Sequence, residues 1–154
     1  MSAVEATLAR LGHSLPAVAA PIAAYVPAVR TGNLVFTSGQ LPTIDGKLIA
    51  TGKVGADVSV EDAKAAAERA ALNGLAAIKA VIGDLDKIVR VVKVVGFVAV
   101  DPDFTNHSGV VNGASELLGE CFGEAAKHAR SSVGMASLPL DAPVEVELIV
   151  EVRD

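Results

Sequence analysis

The sequence predicts an α+β fold in which two main helices pack on one face of a mixed β-sheet. Three observations support this class: an alanine-rich amphipathic stretch at residues 63–82, a β-branched run at residues 88–100, and alternating apolar and polar residues at 144–152. Helices on one side of a sheet bury the apolar faces of both. Because 154 residues fit one domain, residues 1–154 are predicted to fold as a single unit.

The N-terminal third is predicted to hold one short helix and two tight turns. Gly12 is a typical helix stop, and Gly32-Asn33 and Asp45-Gly46 are dipeptides typical of turns. The proline-spaced residues after the short helix are predicted to be extended. The predicted bounds are residues 4–11 for the helix, 25–29 and 34–37 for a β-hairpin, and 44–47 for a turn that leads into a short strand.

The central helix carries the clearest signals. Ser59 is a typical N-cap residue, and Glu61 and Asp62 follow in the first turn, where the helix dipole favours negative charge. Apolar side chains in this helix recur at the spacing of one helical face. These residues are Ala71, Leu75, Ile78 and Ile82. A second, glycine-weakened helix is predicted at residues 110–122.

Three strands are predicted in the rest of the chain, at residues 88–100, 131–136 and 144–152. In the last strand the valines and Leu148 point to one face, whereas the glutamates and Ile149 point to the other. The glutamates are therefore expected on the sheet face opposite the helices. If that face meets partner subunits, they would lie in a crevice between chains.

The charge balance argues against a nucleic-acid partner. Thirteen basic residues against eighteen acidic residues give a net charge of −5, and the sequence has no basic run. Non-specific affinity for nucleic acids comes mostly from clustered lysine and arginine side chains. We therefore expect no nucleic-acid binding.

The sequence also predicts a protein of a reducing, cytoplasmic compartment. Cys121 is the only cysteine, which excludes an internal disulfide and a CxxC motif. The N-terminus lacks the hydrophobic core of a signal peptide. The apolar stretch at residues 15–29 is interrupted by three prolines and is shorter than the roughly 20 residues that span a bilayer. A membrane helix is therefore not predicted.

The common catalytic motifs are absent. The sequence has no GxSxG, HExxH, Walker A or GxGxxG motif. Its three histidines, His13, His107 and His128, lack the spacing of metal ligands and are interpreted as solvated or capping residues. No metal site is predicted.

Two residues are candidate functional residues because of their positions in the predicted strands. Arg130 enters a predicted strand beside an apolar run, where a partly buried guanidinium suits a carboxylate. Glu145 is the first acid on the polar side of the last strand. The simpler interpretation makes Arg130 a member of a surface or interface salt bridge and Glu145 a solvated sheet residue.

Six short sequence blocks, from about residue 21 to the C-terminus, occur in the order found in RidA (YjgF) proteins. Because six blocks in order at sensible spacing are hard to obtain by chance, the chain resembles this family, and most closely its longer branch, often labelled endoribonuclease L-PSP-like. Residues 1–20, the N-terminal helix and extended lead-in, lie outside the core resemblance. The blocks are Ala24-Tyr25-Val26, residues 36–42, Asp103-Phe104, Val111-Asn112, Ala129-Arg130-Ser131, and Leu138-Pro139 followed by residues 144–147.

The resemblance implies a chorismate-mutase-like fold and a homotrimer with three clefts between neighbouring subunits. It also implies hydrolysis of 2-aminoacrylate and related imines to 2-keto acids and ammonia, with no metal or organic cofactor. In this family Arg130 matches the arginine that binds the substrate carboxylate, and Glu145 matches the glutamate that positions or activates water. The residues that match the pocket lining and its surroundings are Tyr25, Ser38, Gly39 and Asn112.

The chain departs from the family pattern at three places. Ala23-Ala24 replaces a usual Gly-Pro, His128 replaces the proline of a usual Pro-Ala-Arg, and Ser132 stands where a cysteine is often found. Two alternatives to a deaminase stay open, of which the loss of the Gly-Pro supports the first. One is a non-catalytic trimer that binds a keto acid or similar small carboxylate in the same cleft. The other is an RNA-cleaving translation inhibitor, which the acidic charge balance disfavours.

Overall fold

The structure, a computed structural model, describes residues 1–18 and 24–154. Residues 19–23, which include part of the segment predicted to be extended, lie outside the described residues. The helices are α1 (Ala3–Arg10), α2 (Val60–Ile82) and α3 (His107–Phe122). The strands are β1 (Ala28–Thr31), β2 (Leu34–Thr37), β3 (Thr43–Ile44), β4 (Lys47–Leu48), β5 (Ile88–Ala99), β6 (Ala129–Met135) and β7 (Val144–Val152).

The main sheet is mixed, as predicted. Among the described residues it has five strands in the order β1-β2-β7-β5-β6, of which only the β5–β6 pair is parallel. The parallel pair needs a crossover between its two strands, and α3 supplies it. Strands β3 and β4 form a separate two-stranded hairpin around the predicted Asp45-Gly46 turn.

Both long helices pack on the same face of this sheet, which confirms the predicted α+β class. Gly74 of α2 lies against Leu148 of β7, and Gly96 of β5 lies against Val111 of α3. The alternating residues of β7 that share a face with Leu148 are all buried. Aliphatic side chains and alanines fill this single core.

The two long helices approach each other closely through small residues. Five alanines of α2 are fully buried, and a Cβ placed on Gly113 of α3 would lie 2.0 Å from the backbone oxygen of Lys64. A backbone atom cannot move aside as a side chain does. Only glycine therefore permits this distance between α2 and α3.

Gly113→Ala is expected to lower the free energy of unfolding by about 1–3 kcal/mol, because the helices must separate to admit the methyl group. Gly119→Ala is the matched control on the same helix, since its Cβ would meet nothing within 4 Å. There, the better helix propensity of alanine should raise stability by up to about 1 kcal/mol. Urea unfolding at one fixed protein concentration measures both changes. Equal effects at the two glycines would contradict the close approach.

The short helix α1 is tied to the rest of the fold by its N-terminus. Ser2 and Glu5 form a capping box, and the Asp86 carboxylate accepts hydrogen bonds from the backbone N–H groups of Ala3 and Val4 at 2.8 and 3.1 Å. Glu5 also pairs with Lys79 of α2. The hydrogen bond from Lys79 and those from Ser2 in the capping box lower the pKa of Glu5 to about 2.

Three predicted boundaries were wrong by a few residues. Strand β1 begins at Ala28 rather than residue 25, after Pro27, which has no N–H to donate to a ladder. Helix α3 begins at His107 because the side chain of Asn106 caps it by accepting from the N–H of Gly109. Strand β6 begins at Ala129, two residues before its predicted start.

The opposite sheet face, which we call the open face, is covered by no element of the described chain. It carries the β7 glutamates, as predicted, together with a cross-strand row of Val29, Phe36 and Ile149. Val29 is 54% exposed and Val133, farther along the face, is 41% exposed. Apolar side chains in this arrangement mark a surface suited to contact with another protein chain.

Candidate ligand-binding site

Arg130 lies near the start of β6 and points toward the helices. Its cross-strand neighbour on β5 is Val94, which is buried beneath the helices. The Arg130 Nη1 atom donates hydrogen bonds to Asn112 Oδ1 at 2.8 Å and to Ser115 Oγ at 3.1 Å. Both acceptors are on α3, three residues apart, so they share one face of that helix. We call Asn112, Ser115, His128 and Arg130 the arginine cluster.

These two bonds leave one edge of the guanidinium open. Each terminal nitrogen of arginine carries two hydrogens, and Nη1 uses both of its own. Within residues 1–18 and 24–154, Nε and Nη2 of Arg130 donate to no acceptor and Arg130 joins no salt bridge. The described chain therefore contains no salt bridge of the kind that the simpler interpretation assigned to Arg130. A half-buried guanidinium with its Nε/Nη2 edge available has the fork geometry that binds a carboxylate.

Of the two interpretations of His128, solvation was wrong, whereas capping is confirmed by its contact with Ala126, the last residue of a 3₁₀ turn. The His128 ring is half-buried, with Nε2 3.0 Å from Ser115 Oγ and Nδ1 in contact with the Ala126 backbone oxygen. Neither His128 nor Ser115 was predicted from the sequence to belong to a site. The available signal was spacing, because Ser115 follows Asn112 by one helical turn and His128 precedes Arg130 by two residues.

Ser132 extends the arginine cluster along the same face of β6. It lies two residues beyond Arg130 and pairs with Gly96 of β5, which faces α3. Its hydroxyl oxygen is buried and has no hydrogen-bond partner among the described residues. This position is also one of the three departures from the family pattern.

Glu145 and Gly39 are in direct contact on the other side of the molecule. A Cβ placed on Gly39 would lie 1.9 Å from Glu145 Oε1, so any other residue there would displace the carboxylate from this position. Burial raises the pKa of Glu145 above its ordinary value, and the negative charge of nearby Glu147 raises it further. A half-buried carboxylate with a raised pKa is a better proton acceptor than a solvated one.

Ser38 directly precedes Gly39 in the sequence, and Tyr25 lies near both of them at a shared cavity. The Ser38 hydroxyl donates to the Val26 backbone oxygen at 2.6 Å, which ties this segment to the residues before β1. Tyr25 is 60% exposed. Tyr25, Ser38 and Gly39 border one cavity of about 670 Å³, which Arg69 and Asn73 of α2 also line. We call Tyr25, Ser38, Gly39 and Glu145 the glutamate cluster.

One chain does not bring the two clusters together. Arg130 shares its cross-strand row with Val94 and Leu148, which face the helices. Glu145 pairs with Phe97 and points to the open face, between the buried neighbours Val144 and Val146. Because side chains alternate across a strand, Arg130 and Glu145 lie on opposite faces of the sheet. A site that uses both must include residues from two chains.

Two further features concern metals and membranes. Among the described residues, no group of three or more histidine, cysteine, aspartate or glutamate side chains could hold a metal ion. In the same part of the chain, no helix has the length and apolar character needed to cross a bilayer.

Sequence comparison relates nearly the whole chain to one family. Residues 5–152 match the family model described as YjgF/chorismate mutase-like, for which an endoribonuclease activity has been suggested. Protein TCP17 of Trypanosoma cruzi is 46% identical over 98% of this chain and 95% of its own length. The 2-iminobutanoate/2-iminopropanoate deaminase of Escherichia coli is 38% identical over 84% of this chain and 88% of its own.

Solved structures give the same relationship. The Agrobacterium tumefaciens protein Atu1372, whose function is unknown, is 49% identical, covers 97% of this chain and 92% of its own, and superposes with a TM-score of 0.90. Escherichia coli TdcF, solved with bound serine, is 28% identical, covers 90% of this chain and 93% of its own, and has a TM-score of 0.60. The similarity to Atu1372 therefore spans almost the whole chain.

Proposed function

This chain belongs to the YjgF/chorismate mutase-like family, which includes the RidA proteins, and on that premise we propose that it hydrolyses 2-aminoacrylate-type imines to 2-keto acids and ammonia. Such a substrate joins a carboxylate to an electrophilic C=N bond. It therefore needs an anchoring cation and a group that handles water. Because the imine is already electrophilic, the proposed reaction needs no metal or organic cofactor.

The arrangement of Arg130 is the observation that carries this proposal. Asn112 and Ser115 fix the guanidinium through Nη1, while its Nε/Nη2 edge keeps two parallel N–H donors for a ligand. Two such donors match the two oxygens of a carboxylate. Arginine also keeps its charge at any physiological pH, so the anchor does not depend on proton uptake.

Glu145 is proposed to act on water. Burial raises the pKa of Glu145, which makes the carboxylate more basic than that of a solvated glutamate. Water attacks the imine carbon as Glu145 takes up one of its protons, the C=N electron pair moves to nitrogen, and that nitrogen receives a proton. In the resulting carbinolamine the hydroxyl loses its proton and forms the C=O bond as the C–N bond breaks. The nitrogen takes up this proton and leaves as ammonia, and the keto acid remains.

We further propose that the active form is a homotrimer with the site between neighbouring chains. The two clusters lie on opposite sheet faces, so the Arg130 of one chain has to meet the Glu145 of another. The apolar row on the open face offers the surface for that contact. In a cyclic trimer each chain gives its arginine cluster to one neighbour and its glutamate cluster to the other, which produces three equivalent sites.

Light scattering at micromolar concentration is expected to give about three times the 15.6 kDa mass of one chain. The apolar row and the divided site both require a neighbour. A charge placed in the row, as in Val29→Asp, should lower the mass, whereas the control Val89→Asp, at an exposed position outside the row, should not. A wild-type mass near that of one chain would exclude the shared site.

The deaminase proposal is tested with 2-aminoacrylate generated in the assay by a dehydratase. Purified protein is expected to accelerate the appearance of keto acid and ammonia in proportion to its concentration. Keto-acid binding without acceleration would instead indicate the non-catalytic binding trimer. Specific cleavage of RNA by nuclease-free protein, abolished by one change in either cluster, would indicate the third alternative.

A further inference from the structure

We propose that His128 and Ser115 act together as positioning residues that hold Arg130 in place for a carboxylate ligand. This inference rests on the proposed function, because it concerns the residue that anchors the ligand. It goes beyond that function by assigning a role to the histidine that departs from the family pattern and to a serine outside the quoted blocks. Neither side chain is placed in contact with the ligand itself.

The hydrogen-bond roles in this group follow from its chemistry. A backbone carbonyl only accepts, so the contact with the Ala126 oxygen requires a hydrogen on His128 Nδ1. In the neutral ring Nε2 is then an acceptor, and the Ser115 hydroxyl donates its single hydrogen to it across 3.0 Å. The lone pairs of Ser115 Oγ remain for Arg130 Nη1, which lies 3.1 Å away.

This chain of bonds supplies something that Ser115 alone does not. A serine hydroxyl rotates freely and also donates, so its hydrogen can turn toward the guanidinium and oppose it. His128 prevents this orientation because its Nε2 atom accepts the hydrogen of the Ser115 hydroxyl. The ring is itself fixed by the 3₁₀ turn that ends at Ala126, so the orientation of Arg130 depends on three segments of the fold.

Asn112 occupies only one of the two hydrogens of Nη1. With that bond alone, the guanidinium retains rotation about its long side chain, which costs entropy when a ligand binds. The second bond, to Ser115, fixes the plane of the guanidinium. Pre-orientation of this kind strengthens binding without adding a contact to the ligand.

The test measures 2-ketobutyrate binding by calorimetry in the trimeric protein. Immobilising a long side chain on binding costs roughly 0.5–1.5 kcal/mol, so Ser115→Ala, which releases Arg130, should weaken binding about 2- to 12-fold. His128→Ala should weaken it about 2- to 5-fold because Ser115 keeps part of its effect, and the double variant should lose no more than Ser115→Ala alone. His128→Gln, which keeps a donor and an acceptor, should recover most of the affinity.

Two controls separate positioning from a general loss of structure. His13→Ala removes a histidine that pairs with Glu68 outside the arginine cluster, and it should leave binding unchanged. In an Arg130→Ala background, Ser115→Ala and His128→Ala should have no further effect on affinity, because the side chain that they position is gone. A merely structural role would produce the same loss in both backgrounds and no recovery with glutamine.

The outcomes distinguish this inference from the function on which it rests. If Arg130→Ala weakens binding but Ser115→Ala and both His128 variants bind like wild type, the positioning role is overturned and the anchoring role stands. If Arg130→Ala itself binds like wild type, both are overturned. Circular dichroism and light scattering establish that each variant is folded and trimeric. Should Ser115→Ala fail this check, the His128→Ala and His128→Gln pair decides the question.

Discussion

Arg130→Ala is expected to weaken keto-acid binding and imine hydrolysis together, by roughly 10- to 150-fold. This range corresponds to the roughly 1.5–3 kcal/mol of hydrogen bonds to a charged group. The substitution removes both donors of the Nε/Nη2 edge and the charge behind them. Because the carboxylate is held in the substrate and in the transition state alike, the affinity and kcat/KM should fall by similar factors, whereas kcat should change little.

Arg130→Lys should recover only part of this loss. An ammonium group restores the charge but not the planar pair of donors, and it does not reproduce the two bonds to α3. Calorimetry with pyruvate or 2-ketobutyrate, alongside imine-hydrolysis rates, measures both effects. Wild-type rates in folded, trimeric Arg130→Ala would remove Arg130 from the site.

Glu145→Gln is expected to lower the rate of imine hydrolysis by roughly 10²- to 10⁴-fold, the usual contribution of general acid–base catalysis. Glutamine keeps nearly the same volume and one acceptor oxygen, so keto-acid binding should survive. Glu151→Gln is the matched control, since Glu151 lies on the same face of β7 but at its far end. Loss of ligand binding in folded, trimeric Glu145→Gln would contradict the division of roles between the two clusters.

The pH dependence gives the same substitution a second readout. The folded chain raises the pKa of Glu145 above its ordinary value of 4.5, so the folded state binds the proton more tightly than the unfolded state. The resulting stability is present below the unfolded pKa and is lost as the pH rises through the folded pKa. At neutral pH Glu145→Gln should therefore be more stable than wild type, and this advantage should disappear below about pH 4.

The sequence predicted those features of the fold that depend on local periodicity. The two-residue alternation of β7 correctly separated its buried valines from Glu145 and the other glutamates, because a strand has only two faces. Ser59 correctly marked the start of α2, since its side chain accepts from the N–H of Asp62. In both cases a few neighbouring residues contain the whole signal.

Contacts between distant segments were not predictable in this way. His128 and Ser115 are thirteen residues apart, and their contact depends on how α3 and the following 3₁₀ turn lead into β6. The need for glycine at residue 113 depends on a backbone atom of another helix. From the sequence alone, Gly113 was interpreted only as a residue that lowers the helix propensity of α3. Such features depend on tertiary packing, which propensity and periodicity do not describe.

The placement of Arg130 and Glu145 on opposite sheet faces has a genetic consequence: two impaired versions of the chain should complement each other. In the proposed trimer, co-expressed Arg130→Ala and Glu145→Gln chains should form mixed rings, each with one junction where an intact arginine meets an intact glutamate. Random assembly from equal amounts restores about a quarter of all sites, because about three quarters of the rings are mixed and each regains one site in three. If both residues came from one chain, no mixture would regain activity.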